Sequence, residues 1–277
     1  RVEQLRKEIG VPGMAIAIVE NGKVTLAKGY GIRKLGAADP VDADTIFPNG
    51  STGKAFTVAA LGILVDQGKI GWDDKVIEHM PWFAMYDPWV TREMTIRDLL
   101  VHRSGLGLGQ GDLLMVPRTN LTRKESVRRL RYLKPATSFR SAYAYDNVLY
   151  MAAGQLIEEV SGQSWEDFVR DNVLRPAGMA RSTSDSESRF ATADRAFPHA
   201  RLNGPFRGLG DQVVLNERDE LGRNAAPAGG LAVSANDMAR WMEIQLAHGK
   251  LPDGGRLFSD AVSAEMWKPV VLLPNPA

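Results

Sequence analysis

The segment Pro48-Asn49-Gly50-Ser51-Thr52-Gly53-Lys54-Ala55 holds residue types from which a reactive centre can be built. Ser51 and Lys54 stand three apart, and residues at that spacing share a helical face with Cβ atoms ~5–6 Å apart. A serine hydroxyl is a weak nucleophile until a base takes its proton. A lysine can be that base only where burial or a neighbouring cation lowers its pKa from about 10.4. A helix N-terminus would add a favourable dipole and unpaired N–H groups where an oxyanion forms. The bland alternative is a surface helix with a solvated lysine, and the Ser-x-x-Lys pattern alone does not separate the two.

Two other chemistries fit the same letters less well. A phosphate loop, G-x-x-x-x-G-K-[ST], needs glycine at 48 and a hydroxyl at 55. The chain has Pro48, which also removes a backbone N–H, and Ala55. The nucleophile elbow G-x-S-x-G fails because Asn49 stands two before Ser51. It would further demand a histidine, and no local pattern selects among His79, His102, His199 and His248.

These residues must be positioned by elements that periodicity reveals. Val2, Leu5 and Ile9 predict a short helix closed by Gly10 and Pro12. MAIAIVE and KVTLAKGYG read as two strands joined at Asn21-Gly22, a pair that favours the positive φ angles of a tight hairpin. A helix is expected from Thr52 to about Gln67, with Gly68 after it. Thr95-Ile96-Arg97-Asp98 resembles a capping box opening another helix. Further helices are expected over Leu121–Leu133, Asp146–Val160 and Ser164–Val173, and from Ser234 to about His248. Strand character returns near Arg195–Leu202 and Gly210–Leu215. A strand pair, a helical block and a return to strands predict an α+β fold, an antiparallel sheet flanked by helices plus an all-α domain. The expected division is residues 1–50 with 190–277 as an α/β domain and 51–189 as a mainly helical one, with the Ser51 helix at the interface.

Composition narrows the function classes. The 277 residues carry 34 Lys plus Arg against 33 Asp plus Glu, so nothing calls for a polyanion or an acidic membrane surface as partner. The absence of cysteine removes thiolate metal sites and thiol nucleophiles. Four scattered histidines without H-E-x-x-H give no reason to expect a catalytic metal, and no cofactor is called for. The longest apolar run, Val58–Val65, is far short of the ~20 residues that cross a bilayer. The start lacks methionine and an apolar signal core and reads as trimmed. Arg123, Lys124, Arg128, Arg129, Arg131 and Lys134 read as a solvated face behind Val127, Leu130 and Leu133 rather than a nucleic-acid patch. Trp82, Phe83, Tyr86 and Trp89 read as packing within the helical block, and His102 as structural.

About ninety residues after Ser51 comes FRSAYAYDN, followed by the helical VLYMAAGQLIEEVSG. With these residues the chain resembles the serine β-lactamase and penicillin-binding-protein superfamily, in its class C β-lactamase-like branch with related esterases and D-amino-acid peptidases. VPGMAIAIVENGKV is similar to that family's opening hairpin, FPNGSTGKAFT to its Ser-x-x-Lys helix start, and IRDLLVHRSGL to its LL-x-H-x-SGL block. Tyr145-Asp146-Asn147 resembles its Tyr-x-Asn motif, RPAGMARST its PLGM-x-x-T block, and PAGGLAVSANDMARWM its late glycine turn and helix.

The resemblance implies a serine hydrolase with Ser51 acylated and a small-molecule substrate: a β-lactam, a peptide ending in a D-residue, or a carboxylic ester. Lys54 would act as base or hold Tyr145 ready, Tyr145 would shuttle the proton, and Asn147 would hold the substrate's amide or the lysine. Tyr143 is the rival tyrosine but lacks an asparagine two residues on. For Tyr145 the plain alternative is a buried aromatic, and for Asn147 an N-cap. The N–H of Ser51 would supply half of an oxyanion hole. The strand motif Lys/His-Thr/Ser-Gly that should supply the rest is not found; Arg103-Ser104-Gly105 has the form but precedes Tyr145. VVLLPNPA is read as stopping before further strands. The resemblance leans toward a periplasmic or secreted setting with the cytoplasm left open, and leaves the oligomeric state open. The rival classes are a catalytically silent binding or regulatory protein on the same fold and, more remotely, a nucleotide-binding loop protein.

Overall fold

Asn21 and Gly22 both adopt positive φ, 51° and 73°, and so close the hairpin their sequence predicts. The strands they join are β1 (Gly13–Glu20) and β2 (Lys23–Gly31), antiparallel from Gly13 opposite Gly31 to Glu20 opposite Lys23. Helix α1 (Val2–Ile9) precedes them and ends at Gly10 in the left-handed conformation. The computed structural model describes residues 1–204, 210–219 and 222–273; the last letters of the VVLLPNPA segment lie outside the described residues.

The remaining strands are β3 (Phe47–Pro48), β4 (His199–Leu202), β5 (Asp211–Val214) and β6 (Ala232–Val233). β3 pairs with β6 and β4 with β5, both antiparallel. The helices after α1 are α2 (Lys54–Asp66), α3 (Val76–His79), α4 (Pro88–Glu93), α5 (Arg123–Arg128), α6 (Val148–Ser161), α7 (Trp165–Val169), α8 (Ser186–Ala191), α9 (Ala226–Gly229), α10 (Ala235–Leu246) and α11 (Asp260–Trp267). Their starts follow the sequence signals: Thr122 and Glu125 form a reciprocal capping box, and Ser164, Ser234 and Ser259 each accept an N–H three residues on. The fold is α+β, as the strand–helix–strand order predicts.

Thr95 and Asp98 do form the expected reciprocal hydrogen bonds, but they open only a three-residue 3₁₀ turn, Arg97–Leu99. The chain behind that turn passes through His102 and Gly105, both at positive φ (55° and 92°), and a longer helix is impossible there.

Helix α2 is buried almost all round, as a helix without a polar face must be. It packs against α6, α9 and α11, while α10 lies across the β1–β2 hairpin. Phe56, Leu61, Leu64, Leu149, Leu156 and Trp165 are at or near zero exposure in this core. Polar contacts fix α2 against α9 as well. Thr57 Oγ1 donates to the Pro227 carbonyl at 2.8 Å and accepts from Trp165 Nε1 at 3.1 Å. Gly229 lets α9 approach still closer, because a Cβ there would lie 2.7 Å from the Gly50 carbonyl.

Gly154, inside α6, is the other close approach, since a Cβ there would collide with the Pro227 ring. Gly154→Ala gains helix propensity of about 1 kcal/mol and meets an overpacking cost of about 1–3 kcal/mol. A net fall in melting temperature of about 2–6 °C is expected in a thermal denaturation scan. A melting temperature at or above the parent's would show that the Pro227 turn yields freely.

Candidate active site

Ser51 lies in a 3₁₀ turn, Gly50–Gly53, that runs directly into α2, so its N–H sits at the open N-terminal end of a continuous helical segment. Its side chain is exposed, whereas Lys54, one turn on, is only 7% exposed. Lys54 Nζ lies within hydrogen-bond reach of Ser51 Oγ at 3.2 Å, Tyr145 OH at 2.8 Å, Asn147 Oδ1 at 2.8 Å and the Ala228 carbonyl at 2.9 Å. Tyr145 OH donates to Ser51 Oγ at 2.8 Å, closing a triangle of hydroxyl, phenol and ammonium. All four residues singled out from the sequence, Ser51, Lys54, Tyr145 and Asn147, therefore meet at one point.

Asn147 occupies the position before α6 but makes no side-chain cap. The preceding Asp146 accepts from the Leu149 N–H at 3.3 Å instead, which leaves the Asn147 amide for the cleft. Its Oδ1 faces Lys54 and its Nδ2 donates to Asp112, at 3.2 and 3.4 Å to the two carboxylate oxygens. Tyr143 instead lies edge-on to His102 at 5.8 Å between ring centres.

His102, expected to be structural, does more than brace its loop. Its ring lies 4.3 Å from that of Tyr145, its Nδ1 accepts the Asp146 N–H at 3.3 Å, and its carbonyl accepts from Ala144 at 2.7 Å. It is the platform on which the tyrosine rests. Burial and the nearby Lys54 charge hold its pKa down at about 4, so the ring is neutral. Asp146 is pushed the other way, to about 7, by burial, which outweighs the hydrogen bonds from Ser104 Oγ and the Leu149 N–H and the attraction of Lys54.

The loop beneath is anchored at Asp98, which has no exposure. It receives Arg103 Nε at 2.7 Å, Arg140 Nη2 at 2.5 Å and the Thr95 N–H at 2.9 Å. Burial raises its pKa, but the hydrogen bonds from Arg140, Thr95 and Arg103 prevail and leave it below the ordinary carboxylate range. One anion thus ties the start of the His102 loop to the segment that leads into Tyr145.

Sequence reasoning missed Asp112, the Ala228 carbonyl and the platform role of His102. Nothing in the local pattern around Asp112 marks it, and a carbonyl ligand has no side-chain signature at all. Two surface readings also change. Arg123 is not solvated but buried, paired with Glu158 and, at 2.7 Å, with Glu166. Of the four aromatics, Phe83 is buried and Trp82 lies under Lys124 and Arg128, but Tyr86 and Trp89 are about half exposed. Among the described residues, Asp74, Glu78 and His79 are near enough to share an ion, and His79 is already bonded to Asp74 at 2.9 Å. No helix among the described residues is long and apolar enough to cross a membrane.

Comparison with known proteins finds the same arrangement of sequence. The profile of the Beta-lactamase family matches residues 1–275. Penicillin-binding protein 4 of Amycolatopsis lactamdurans is 32% identical over 98% of this chain and 68% of its own length. Unguisins hydrolase ungD′ of Aspergillus campestris is 30% identical over 99% of this chain and 50% of its own. Among solved structures, the octameric penicillin-binding protein homologue from Pyrococcus abyssi superposes with a TM-score of 0.80 at 26% identity, over 96% of this chain and 58% of that one. The chain thus spans between half and about two thirds of these relatives.

The opposed shifts of His102 and Asp146 generate a pH prediction. With its folded pKa lowered, His102 contributes stability that is lost as pH falls from about 6.5 to about 4, because only the unfolded chain then binds the proton. With its folded pKa raised, Asp146 contributes stability present below about 4 and lost as pH rises to about 7. The two nearly cancel between pH 4 and 7. Relative to the parent protein, His102→Phe is expected to lose stability as pH rises through that window, and Asp146→Asn to lose it as pH falls. Melting temperatures of the three proteins across pH 4–7 measure this, and parallel curves would count against it.

Proposed function

The chain belongs to the Beta-lactamase family, and from that premise we propose that it is a serine hydrolase cleaving an ester or amide through an acyl-enzyme on Ser51. The observation that carries this reading is the closed contact among Ser51 Oγ, Tyr145 OH and Lys54 Nζ, with sides of 2.8, 2.8 and 3.2 Å. In that triangle Tyr145 acts as the phenolate, paired with the Lys54 ammonium, and its oxygen takes the Ser51 proton as Oγ attacks the substrate carbonyl carbon. The Lys54 ammonium, in contact with that oxygen, stabilises the negative charge it carries before taking the proton and again after giving it up. The Ser51 N–H, at the helix start, donates to the oxyanion of the tetrahedral intermediate. When the intermediate collapses, the C–O or C–N bond breaks and Tyr145 returns the proton to the departing alcohol or amine. Water then repeats the sequence on the acyl-enzyme, with Tyr145 as base, and Ser51 leaves with its proton restored.

The other side chains keep this geometry. Asn147, held at both ends of its amide, fixes Lys54, and the Ala228 carbonyl holds the same ammonium from behind. His102 supports the Tyr145 ring from its face. A β-lactam, a D-terminal peptide and a simple ester all present a carbonyl suited to this attack. The names of the relatives, a penicillin-binding protein and a hydrolase, support the reaction class.

Intact-protein mass spectrometry after treatment with a fluorophosphonate tests the assignment. One adduct is expected on the parent protein and none on Ser51→Ala; equal labelling of both would remove Ser51 as nucleophile. Tyr145→Phe and Lys54→Ala are each expected to slow hydrolysis of a p-nitrophenyl ester about 10²–10⁴-fold. The double variant should be little slower than either single one, because the pair acts as a unit. A stable adduct with no turnover of any ester, peptide or β-lactam would make the protein a binder rather than a hydrolase.

A further inference from the structure

Asp112 opens the short turn Asp112–Leu114 and is brought to the site by the glycines before it. It follows Gly111, whose φ is 84° and where a Cβ would press on Leu133 and Val148, the latter at 2.9 Å. Two glycines in the left-handed region, Gly109 and Gly111, let the loop descend onto the first turn of α6, and Asp112 thereby meets Asn147. Its carboxylate is half-buried, and its one side-chain partner among the described residues is Asn147 Nδ2. Those contacts, 3.2 and 3.4 Å, are longer than the ~2.9–3.0 Å commonest for an N–H···O bond, and a carboxylate offers about four acceptor positions. Among the described residues no lysine or arginine pairs with it. Orienting Asn147 needs only a neutral acceptor, which a backbone carbonyl or an amide could be. A full negative charge, largely unspent and next to the reactive row, calls for a different explanation. Its field already reaches inward, since it is one of the influences that hold the Asp146 carboxyl up.

We propose that Asp112 selects substrate by charge, favouring acyl groups that carry an ammonium a few bonds from the scissile carbonyl and disfavouring anionic ones. This rests on the serine-hydrolase reading of Ser51. An acyl group bonded to Ser51 Oγ lies beside Lys54 and Asn147, and a cation on it completes the coordination that Asn147 Nδ2 begins. Lys54 is buried and its ammonium is already shared among four oxygens, whereas Asp112 has a single amide group on its carboxylate among the described residues. Leu108 and Leu113, 78% and 84% exposed on either side of Asp112, offer apolar surface to the methylenes that would link ammonium and carbonyl.

Three p-nitrophenyl esters of similar length test the proposal: the 4-(trimethylammonio)butyrate, its neutral carbon isostere the 5,5-dimethylhexanoate, and the anionic glutarate monoester. Quaternary nitrogen and quaternary carbon have nearly the same shape, so the ratio of kcat/KM for the first two isolates charge. That ratio is expected to be about 5–20 for the parent protein, with the anionic ester slowest. In Asp112→Asn, which retains an acceptor for Asn147, the ratio should fall to about 1–2. In the parent it should shrink toward that value in 1 M salt. Because the readout is a ratio, any general loss of activity in the variant cancels. A ratio unchanged by Asp112→Asn, or one that falls only in Asp112→Ala, would overturn charge selection and leave Asp112 as a positioning residue. Fluorophosphonate labelling in parallel separates the two levels. An adduct on Ser51 with charge-blind turnover sinks only the Asp112 assignment, whereas neither adduct nor turnover would sink the hydrolase reading beneath it.

Discussion

The structure depends on where a single ammonium is placed. Taking a charged lysine out of water costs several kcal/mol even after the surroundings relax, and only well-aimed oxygens offset it. Lys54 has them from three separate pieces of chain: its own helix start, the Tyr145–Asn147 segment that leads into α6, and the α9 turn. The second and third lie 91 and 174 residues from Lys54 in sequence. The cation is therefore satisfied only when α2, α6 and α9 are all in place, and the reactive triangle forms as a by-product of solving a solvation problem. The close approaches at Gly154 and Gly229 serve the same end, since each lets the Pro227–Gly230 turn come near enough to present its carbonyl.

Around this centre burial sets the state of one supporting group and pairing that of another. His102 stays neutral beside a cation, so it can lie against Tyr145 without competing for the lysine's acceptors. Asp98 stays charged without any exposure because two guanidinium groups and a backbone N–H converge on it. One buried group is made inert and the other made into a nail, and the Tyr145 segment is fixed between them.

Much of this was legible in the sequence, for identifiable reasons. Ser51 and Lys54 could be seen because a helix turns a spacing of three into a shared face. The hairpin could be seen because Asn21-Gly22 has few other uses, and the helix starts because serine and threonine caps act on neighbours three residues away. Tyr145 and Asn147 needed the resemblance, since nothing local distinguishes Tyr145 from Tyr143. What stayed hidden was long-range. Asp112 meets Asn147 across 35 residues and Ala228 meets Lys54 across 174, and neither contact leaves a periodic trace. The capping box at Thr95 shows the opposite failure: its local hydrogen bonds formed as expected, but the left-handed residues beyond it ended the helix after one turn.

An ammonium has three hydrogens, and four oxygens lie within reach of that of Lys54. At every instant one oxygen goes without its share. Asn147 and the Ala228 carbonyl cannot supply a hydrogen of their own at those atoms, while Ser51 and Tyr145 can rotate theirs. The deficit therefore falls on the two hydroxyls, and more than one proton arrangement fits the same heavy-atom positions. The hydrogens of Ser51 and Tyr145 can therefore reorient while the scaffold around them stays where it is.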